Sequence, residues 1–159
     1  MKTVGIIGYG NIGMTVSDML HGFRVNIMFN DPAWGEYSTP LEDILENADI
    51  ITIHVPLTDK TKYLIDEYEL SLMSKKSPIL INMSRKEVVE EDAVYEALML
   101  GELSGFGSDV NDAEMFSEFD NAIITPHIGS DTIECKEKME IATVNNLIRG
   151  LNEKKKSIQ

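Results

Sequence analysis

Thr3-Val-Gly-Ile-Ile-Gly-Tyr-Gly-Asn-Ile-Gly13 decides how the rest of this 159-residue chain reads. Val4, Ile6 and Ile7 supply a short buried strand, and Gly8, Gly10 and Gly13 follow with the spacing Gly-x-Gly-x-x-Gly. In a strand-to-helix turn around a pyrophosphate the first glycine permits the sharp turn, the second lets the backbone approach the phosphates, and the third lets the helix pack on the sheet. The phosphates then meet the N–H groups at the start of that helix. Glycine-rich turns also occur in domains that bind no cofactor, so a second signal is needed. Asp31 provides it: it lies 23 residues after Gly8 and closes a second apolar run, Arg24-Val-Asn-Ile-Met-Phe-Asn30. A carboxylate there accepts hydrogen bonds from both hydroxyls of an adenosine ribose. An exposed turn aspartate before Pro32 is the weaker reading once the fingerprint stands upstream.

The composition suits one domain with one core, at 43% hydrophobic residues. A formal charge of −13, from 27 acidic and 14 basic residues, opposes phosphate backbones and anionic lipid, so neither nucleic acid nor a membrane is an expected partner. The single cysteine, Cys135, excludes an intrachain disulfide and a multi-cysteine metal site, and is expected as a small buried helix residue. No signal-peptide core or membrane span is visible, and a reducing cytoplasm is the expected location.

Short β-branched runs alternate with helical patterns, the signature of parallel strands joined by crossover helices. Strands are expected near 3–7, 24–29, 49–54, 79–83, 103–108 and 122–125. The first helix should run from Asn11 to His21 and end on a left-handed Gly22. Thr39-Pro-Leu-Glu42 reads as a capping box opening a helix to Asn47. Further helices are expected over 66–74, from Glu90 to Leu100 with Gly101 as the stop, and from Ser130 or Thr132 to Asn152. Residues 152–159 read as a polar, frayed tail. The expected fold is a single Rossmann α/β domain over 1–151, with six strands in the doubly wound order 3-2-1-4-5-6. The connection between the second and third strands is short for that arrangement. Trp34, within it, either covers the adenine side or packs locally.

Ligands of open α/β sheets bind beyond the carboxyl ends of the strands. The residues expected there are His54-Val-Pro-Leu-Thr58, Asn82-Met-Ser-Arg85, Asp109-Val-Asn-Asp-Ala-Glu114 and Thr125-Pro-His127. An arginine, acidic groups and a histidine thus converge on the rim that receives a nicotinamide. Singly, Arg85 reads as a surface charge, Glu114 as one acid in an acidic loop and His127 as a residue near a helix start; together they favour a reaction centre. No cluster of histidines or cysteines suggests a metal.

Ile81-Asn-Met-Ser-Arg85, Gly107-Ser-Asp-Val110 and Ile124-Thr-Pro-His-Ile-Gly129, with His54-Val-Pro-Leu-Thr58, Thr61 and Leu64-Ile65, occur in the order and spacing of D-2-hydroxyacid dehydrogenases. Over almost all of residues 2–151 the chain resembles the NAD-binding domain of that family, which includes phosphoglycerate, glycerate, lactate and formate dehydrogenases and glyoxylate reductases. The resemblance implies hydride transfer between NAD(H) and a small D-2-hydroxy acid or 2-oxo acid. It implies Arg85 as the substrate-binding arginine, His127 as general acid and base, and Glu114 as the carboxylate paired with that histidine. NAD would lie against Gly8, Gly10, Asn11, Ile12, Gly13, Asp31, His54, Val55, Pro56, Asp109, His127 and Gly129, with Asp109 at the nicotinamide carboxamide.

The departures are informative. Lys86-Glu87 stands where the family usually has glycines, Met115 where proline is usual, and the segment from Glu114 to His127 is short, leaving Asp112 as a rival to Glu114. The family's separate substrate domain has no counterpart in these residues. The chain is therefore expected to act as an isolated domain, weak by itself, whose cleft is completed by a missing substrate domain or by a homodimer partner. Two rival readings remain: a non-enzymatic NAD-sensing interaction module, for which the arginine, glutamate and histidine would be superfluous, and an NADP-dependent reductase of another class, against which Asp31 speaks.

Overall fold

The computed structural model describes residues 1–156, which form two compact units, Met1–Pro126 and a second that begins at His127. The first holds a six-stranded sheet in which every neighbouring pair is parallel. Its strands are β1 (Thr3–Ile7), β2 (Asn26–Asn30), β3 (Ile50–Ile53), β4 (Ile79–Asn82), β5 (Gly105–Ser108) and β6 (Ala122–Ile124). The helices are α1 (Asn11–Leu20), α2 (Leu41–Asn47), α3 (Glu67–Met73) and α4 (Glu91–Leu100). The second unit contains α5 (Ile133–Lys156), whose first turn is closed by Thr132: its hydroxyl accepts from the Cys135 N–H at 3.1 Å.

The observed strand order is β2-β1-β3-β4-β5-β6, which corrects the expected 3-2-1-4-5-6 while leaving the fold a doubly wound α/β sheet. The cause lies in the short connection after β2, a 3-10 turn over Pro32–Tyr37 followed by seven-residue α2. That helix sits on β1 itself: a Cβ built on Gly5 would fall 2.3 Å from Ile44 Cγ2, so only a glycine strand position admits so close a helix. Having crossed β1, the chain comes down on its far side. Asp49 then fixes the start of β3, its carboxylate accepting from the Thr3 N–H and pairing with Lys2, both at 2.8 Å.

One core fills the space under α2, α3 and α4. Ile7, Ile44, Leu45, Ile51, Ile53, Ile65, Met73, Leu80, Val88 and Val94 are buried there. Phe116, in the connection between β5 and β6, closes the far end against Phe106 at a ring separation of 4.9 Å. Burial of these aliphatic side chains stabilises the unit by about 1.5–3 kcal/mol each.

Four local expectations are corrected. Gly22 is not the left-handed residue; a 3-10 turn over His21–Phe23 extends α1, and Arg24 takes the positive φ of 54° at the entry to β2. Thr39 forms no capping box, because its N–H is held by the Phe29 carbonyl at 2.8 Å and Pro40 becomes the residue before α2. The capping box belongs to α3, where Asp66 accepts from the Tyr68 N–H at 2.8 Å and Glu69 reaches back to the Asp66 N–H. In addition, α5 runs through Lys156, so most of the expected frayed tail is helical, while 157–159 lie outside the described residues. Cys135 is half-buried rather than buried.

Candidate functional site

Parallel register carries the site to one edge. Asn30, Ile7, Ile53, Asn82, Ser108 and Ile124 are paired in succession across the sheet, the last row before each strand ends. Gly8, Asp31, His54, Met83, Asp109 and Thr125 therefore leave the sheet along the same edge.

At Gly8 the chain turns with φ of 90°, and a Cβ there would meet the His54 carbonyl and the Val55 nitrogen at 2.8–2.9 Å. A Cβ on Gly13 would lie 2.1 Å from the Gly8 carbonyl oxygen, so α1 rests on the turn with nothing between them. Gly10 differs: no atom lies within 4 Å of its imaginary Cβ. No side chain caps α1 and its first turn has no acidic residue, which leaves the positive end of the helix available to an anion.

Asp31 is fastened at both carboxylate oxygens. One accepts from the Tyr9 N–H and the other from the Ala33 N–H, each at 2.9 Å. Its position after β2 is thus locked to the glycine turn. Trp34 stands beside it, edge-on to Tyr9 and Phe29 at 5.6 and 5.7 Å, with its indole N–H donating to the Tyr9 carbonyl. Trp34 thus packs locally while keeping 41% of its surface exposed.

Two cavities open on this edge. One, of about 350 Å³, has walls from Gly8, Gly10, Asp31, Pro32, His54, Val55, Pro56, Thr58, Lys60 and Thr61. The other, of about 560 Å³, is lined by Gly10, Asn11, Ile12, His54, Val55, Pro56, Leu57, Met83, Ser84 and Arg85. They share Gly10, His54, Val55 and Pro56, so they form neighbouring chambers on either side of the glycine turn. The His54 ring faces the Thr52 hydroxyl through Nε2 at 3.0 Å, and its Nδ1 is buried without a hydrogen-bond partner among the described residues. Burial pushes the His54 pKa below its ordinary value, so the ring is neutral at pH 7.

Arg85 stands at the rim of the larger chamber. Its guanidinium donates to the Ser84 carbonyl at 2.7 Å and forms no ion pair among the described residues. Ser84 is itself tied to the Val55 carbonyl, linking the walls after β3 and β4. Asp109, buried at the end of β5, accepts from the Thr125 hydroxyl at 2.6 Å. Glu114 is exposed on the connection that follows; Asp112 accepts from its N–H at 2.9 Å. The structure thus brings Arg85 together with Gly10, Asn11, Ile12, His54, Val55 and Pro56, whereas Glu114 does not line that chamber. His127 opens the second unit with a left-handed φ of 56°, and Gly129 follows within the same unit.

Sequence reading carried Asn82, Met83, Ser84 and Asn111 only as members of strand-end stretches, without a role of their own, and passed over Lys60 and Glu91. Lys60, well beyond the end of β3, and Glu91, at the start of α4, carry no such positional signal.

The sequence model of the "D-isomer specific 2-hydroxyacid dehydrogenase, NAD binding domain" matches residues 1–129. The chain belongs to this family. A glyoxylate reductase of Pyrococcus furiosus is 38% identical over 161 residues, covering 92% of this chain and 47% of that protein. A hydroxypyruvate reductase of Thermotoga maritima is 32% identical over 163 residues, covering 94% of this chain and 53% of its own length. Among solved structures, an NAD-dependent formate dehydrogenase from Staphylococcus aureus in complex with NAD superposes with a TM-score of 0.86 at 31% identity, covering 96% of this chain and 49% of that one. The chain spans about half the length of these relatives. The NAD-binding fold expected from the glycine turn and Asp31 agrees with the matched family, and the comparisons favour the oxidoreductase reading over the sensing module. No helix among the described residues is long and apolar enough to cross a membrane.

Proposed function

We propose that this chain is the NAD-binding half, over residues 1–151, of a D-2-hydroxyacid dehydrogenase that interconverts a small 2-oxo acid and its 2-hydroxy acid in the cytoplasm. The observation that carries the reading is the pair of chambers around Gly10: one ends at the locked carboxylate of Asp31, the other at the guanidinium of Arg85, which forms no ion pair among the described residues. A dinucleotide lying across the glycine turn fits both, with its ribose hydroxyls at Asp31 and its phosphates at Gly10, Asn11 and Ile12. Gly8 and Gly13 support that turn, His54, Val55 and Pro56 wall the cofactor, and Asp109, His127 and Gly129 complete its nicotinamide end by family resemblance.

NAD(H), when bound, supplies or accepts the hydride. Arg85 holds the substrate carboxylate through its planar, bidentate fork, which fixes the adjacent carbonyl in orientation. His127 takes the role of acid in reduction, delivering a proton to the carbonyl oxygen, and of base in oxidation. By family resemblance, Glu114 is the carboxylate paired with that histidine. The substrate's other contacts come from a separate substrate domain or from a second copy of the chain.

The test is NADH consumption with glyoxylate or hydroxypyruvate. The chain alone should turn over slowly, because one open wall admits water and leaves the substrate poorly held. Adding the substrate half of a relative should raise the rate, and Arg85→Gln should then lower kcat/KM roughly a hundredfold, about 3 kcal/mol for a lost charged hydrogen bond. Rapid turnover by the chain alone, abolished by His127→Ala, would show that no second wall is required. NADH-dependent reduction indifferent to Arg85 would remove the substrate assignment.

A further inference from the structure

Behind Arg85 the side chains form a closed polar circuit. Asn82, fully buried at the end of β4, donates through Nδ2 to the Arg85 carbonyl at 3.0 Å and to Asn111 Oδ1 at 2.9 Å. Ser108, at the end of β5, donates to the same Asn111 oxygen at 2.7 Å. Asn111 Nδ2 donates to Glu91 Oε1 at 3.0 Å, and the Asp112 N–H donates to that oxygen at 2.9 Å. The other Glu91 oxygen pairs with Lys86 Nζ at 2.7 Å. Since Lys86 is covalently next to Arg85, the circuit returns to its start.

Three separate pieces of chain are joined by this ring: the turn that carries Arg85, the first residue of α4, and the connection after β5 that carries Asp109 and Glu114. Asn111 uses its carbonyl for two donors and its amide for the carboxylate; Glu91 uses both oxygens. In a ring whose members are satisfied and whose Asn82, Ser108 and Asn111 are buried, the bonds reinforce one another and define one geometry, whereas removing one member leaves its neighbours without partners. Burial works to raise the Glu91 pKa, but Lys86, the Asp112 N–H and Asn111 outweigh it and hold the carboxyl below its usual range. Glu91 is therefore ionised at neutral pH and keeps the Lys86 link closed.

We infer that Glu91, Asn111 and Lys86 are positioning residues for substrate binding: their ring fixes the Arg85 turn relative to the connection after β5, so that the guanidinium is presented to a 2-oxo acid. The inference rests on the proposed role of Arg85 and names the machinery that sets its position. None of the three touches the cofactor chambers assigned above, so loss of the ring separates the two affinities. Binding of NADH survives while binding of the acid weakens.

Oxamate, a non-reducible mimic of a 2-oxo acid, serves as the probe, titrated into the NADH-saturated full chain while the Arg85 side-chain Nε–H resonance is followed by NMR. Wild type should show a saturable shift that Arg85→Gln abolishes. Glu91→Ala and Lys86→Met should weaken oxamate binding about tenfold and threefold, the range of one lost charged and one lost exposed interaction, with NADH affinity within twofold of wild type. Glu91→Gln, which keeps acceptors for Asn111 and Asp112, should recover part of the loss. Lys86→Met changes an exposed side chain and so decides the matter even if Glu91→Ala folds poorly. Unchanged oxamate affinity in the folded ring variants, alongside an Arg85-dependent response in wild type, overturns the ring alone. Parallel loss of NADH and oxamate affinity overturns it too, since that is general loosening. Absence of any Arg85-dependent response in wild type overturns the site assignment and the ring together.

Discussion

Replacing Gly10 and Gly13 separately by alanine should split cofactor binding from folding, although the two glycines stand three residues apart in one motif. At Gly13 the new methyl carbon would lie 2.1 Å from the Gly8 carbonyl oxygen, 3.1 Å from its carbon and 3.2 Å from Ile6 Cγ2. Reaching an ordinary contact of about 3.4 Å requires α1 to move away from the turn by about an ångström, and the obstacle is backbone, which no rotamer change relieves. Overpacking of this kind costs about 1–3 kcal/mol. At Gly10 nothing lies within 4 Å, and its φ of −84° and ψ of −158° are open to alanine. Gly10→Ala should therefore change stability by no more than about 0.5 kcal/mol. Its methyl group projects where the phosphates approach, so NADH affinity should fall at least tenfold, about 1.4 kcal/mol. Urea unfolding midpoints and NADH fluorescence titrations read the two effects independently. A folded Gly10→Ala protein that binds NADH as tightly as wild type would refute the placement of the pyrophosphate at this turn.

Asp31→Ala should abolish discrimination between NADH and NADPH, since the carboxylate that accepts ribose hydroxyls would also repel a 2′-phosphate; calorimetric titration with both cofactors checks this, and a wild type that binds them equally contradicts it. His54 gives a pH signature: its pKa is lowered by burial, so the unfolded chain binds the proton more readily, and the contribution is fully present above the unfolded value of 6.5 and lost as pH falls through the lower folded one. Unfolding midpoints measured from pH 7.5 to 5 should fall more steeply in wild type than in His54→Asn, and equal slopes would count against a buried neutral ring.

Legibility in the sequence followed the range of the interactions. The strands stood out because runs such as Ile50–Ile53 are β-branched and continuous, as strands covered on both faces must be. Gly101, with φ of 73°, ends α4 as expected because a helix stop is local. Gly22 and Thr39 failed for a tertiary reason: the 3-10 turn after α1 and the bond from Thr39 to the end of β2 take each residue out of the role its neighbours suggest. The place of β3 depended on how closely α2 approaches Gly5, which no spacing reports. The position of the glycine turn, Asp31 and Arg85 on this edge was legible because the first two directly follow a strand and Arg85 stands three residues after one. The circuit through Asn82, Ser108, Asn111 and Glu91 joins positions up to 29 residues apart, and a lone asparagine in sequence carries no mark of such a partner.

The strand order also prescribes how the sheet grows as the chain is synthesised. The first strand of this sheet in chain order, β1, is an interior one, and its two neighbours end at Asn30 and Ile53. A three-stranded nucleus holding Gly8, Asp31 and His54 is thus complete before β4, β5 and β6 have emerged. From there each strand joins only its immediate predecessor, β4 on β3, β5 on β4, β6 on β5, without reopening any earlier pairing. Parallel pairing is intrinsically slow because long connections must close first, and this outward sequence lets each closure finish before the next begins. The half of the sheet that carries the glycine turn is therefore assembled before the other half, and the strands beside Arg85 and Asp109 are laid against a template already in place.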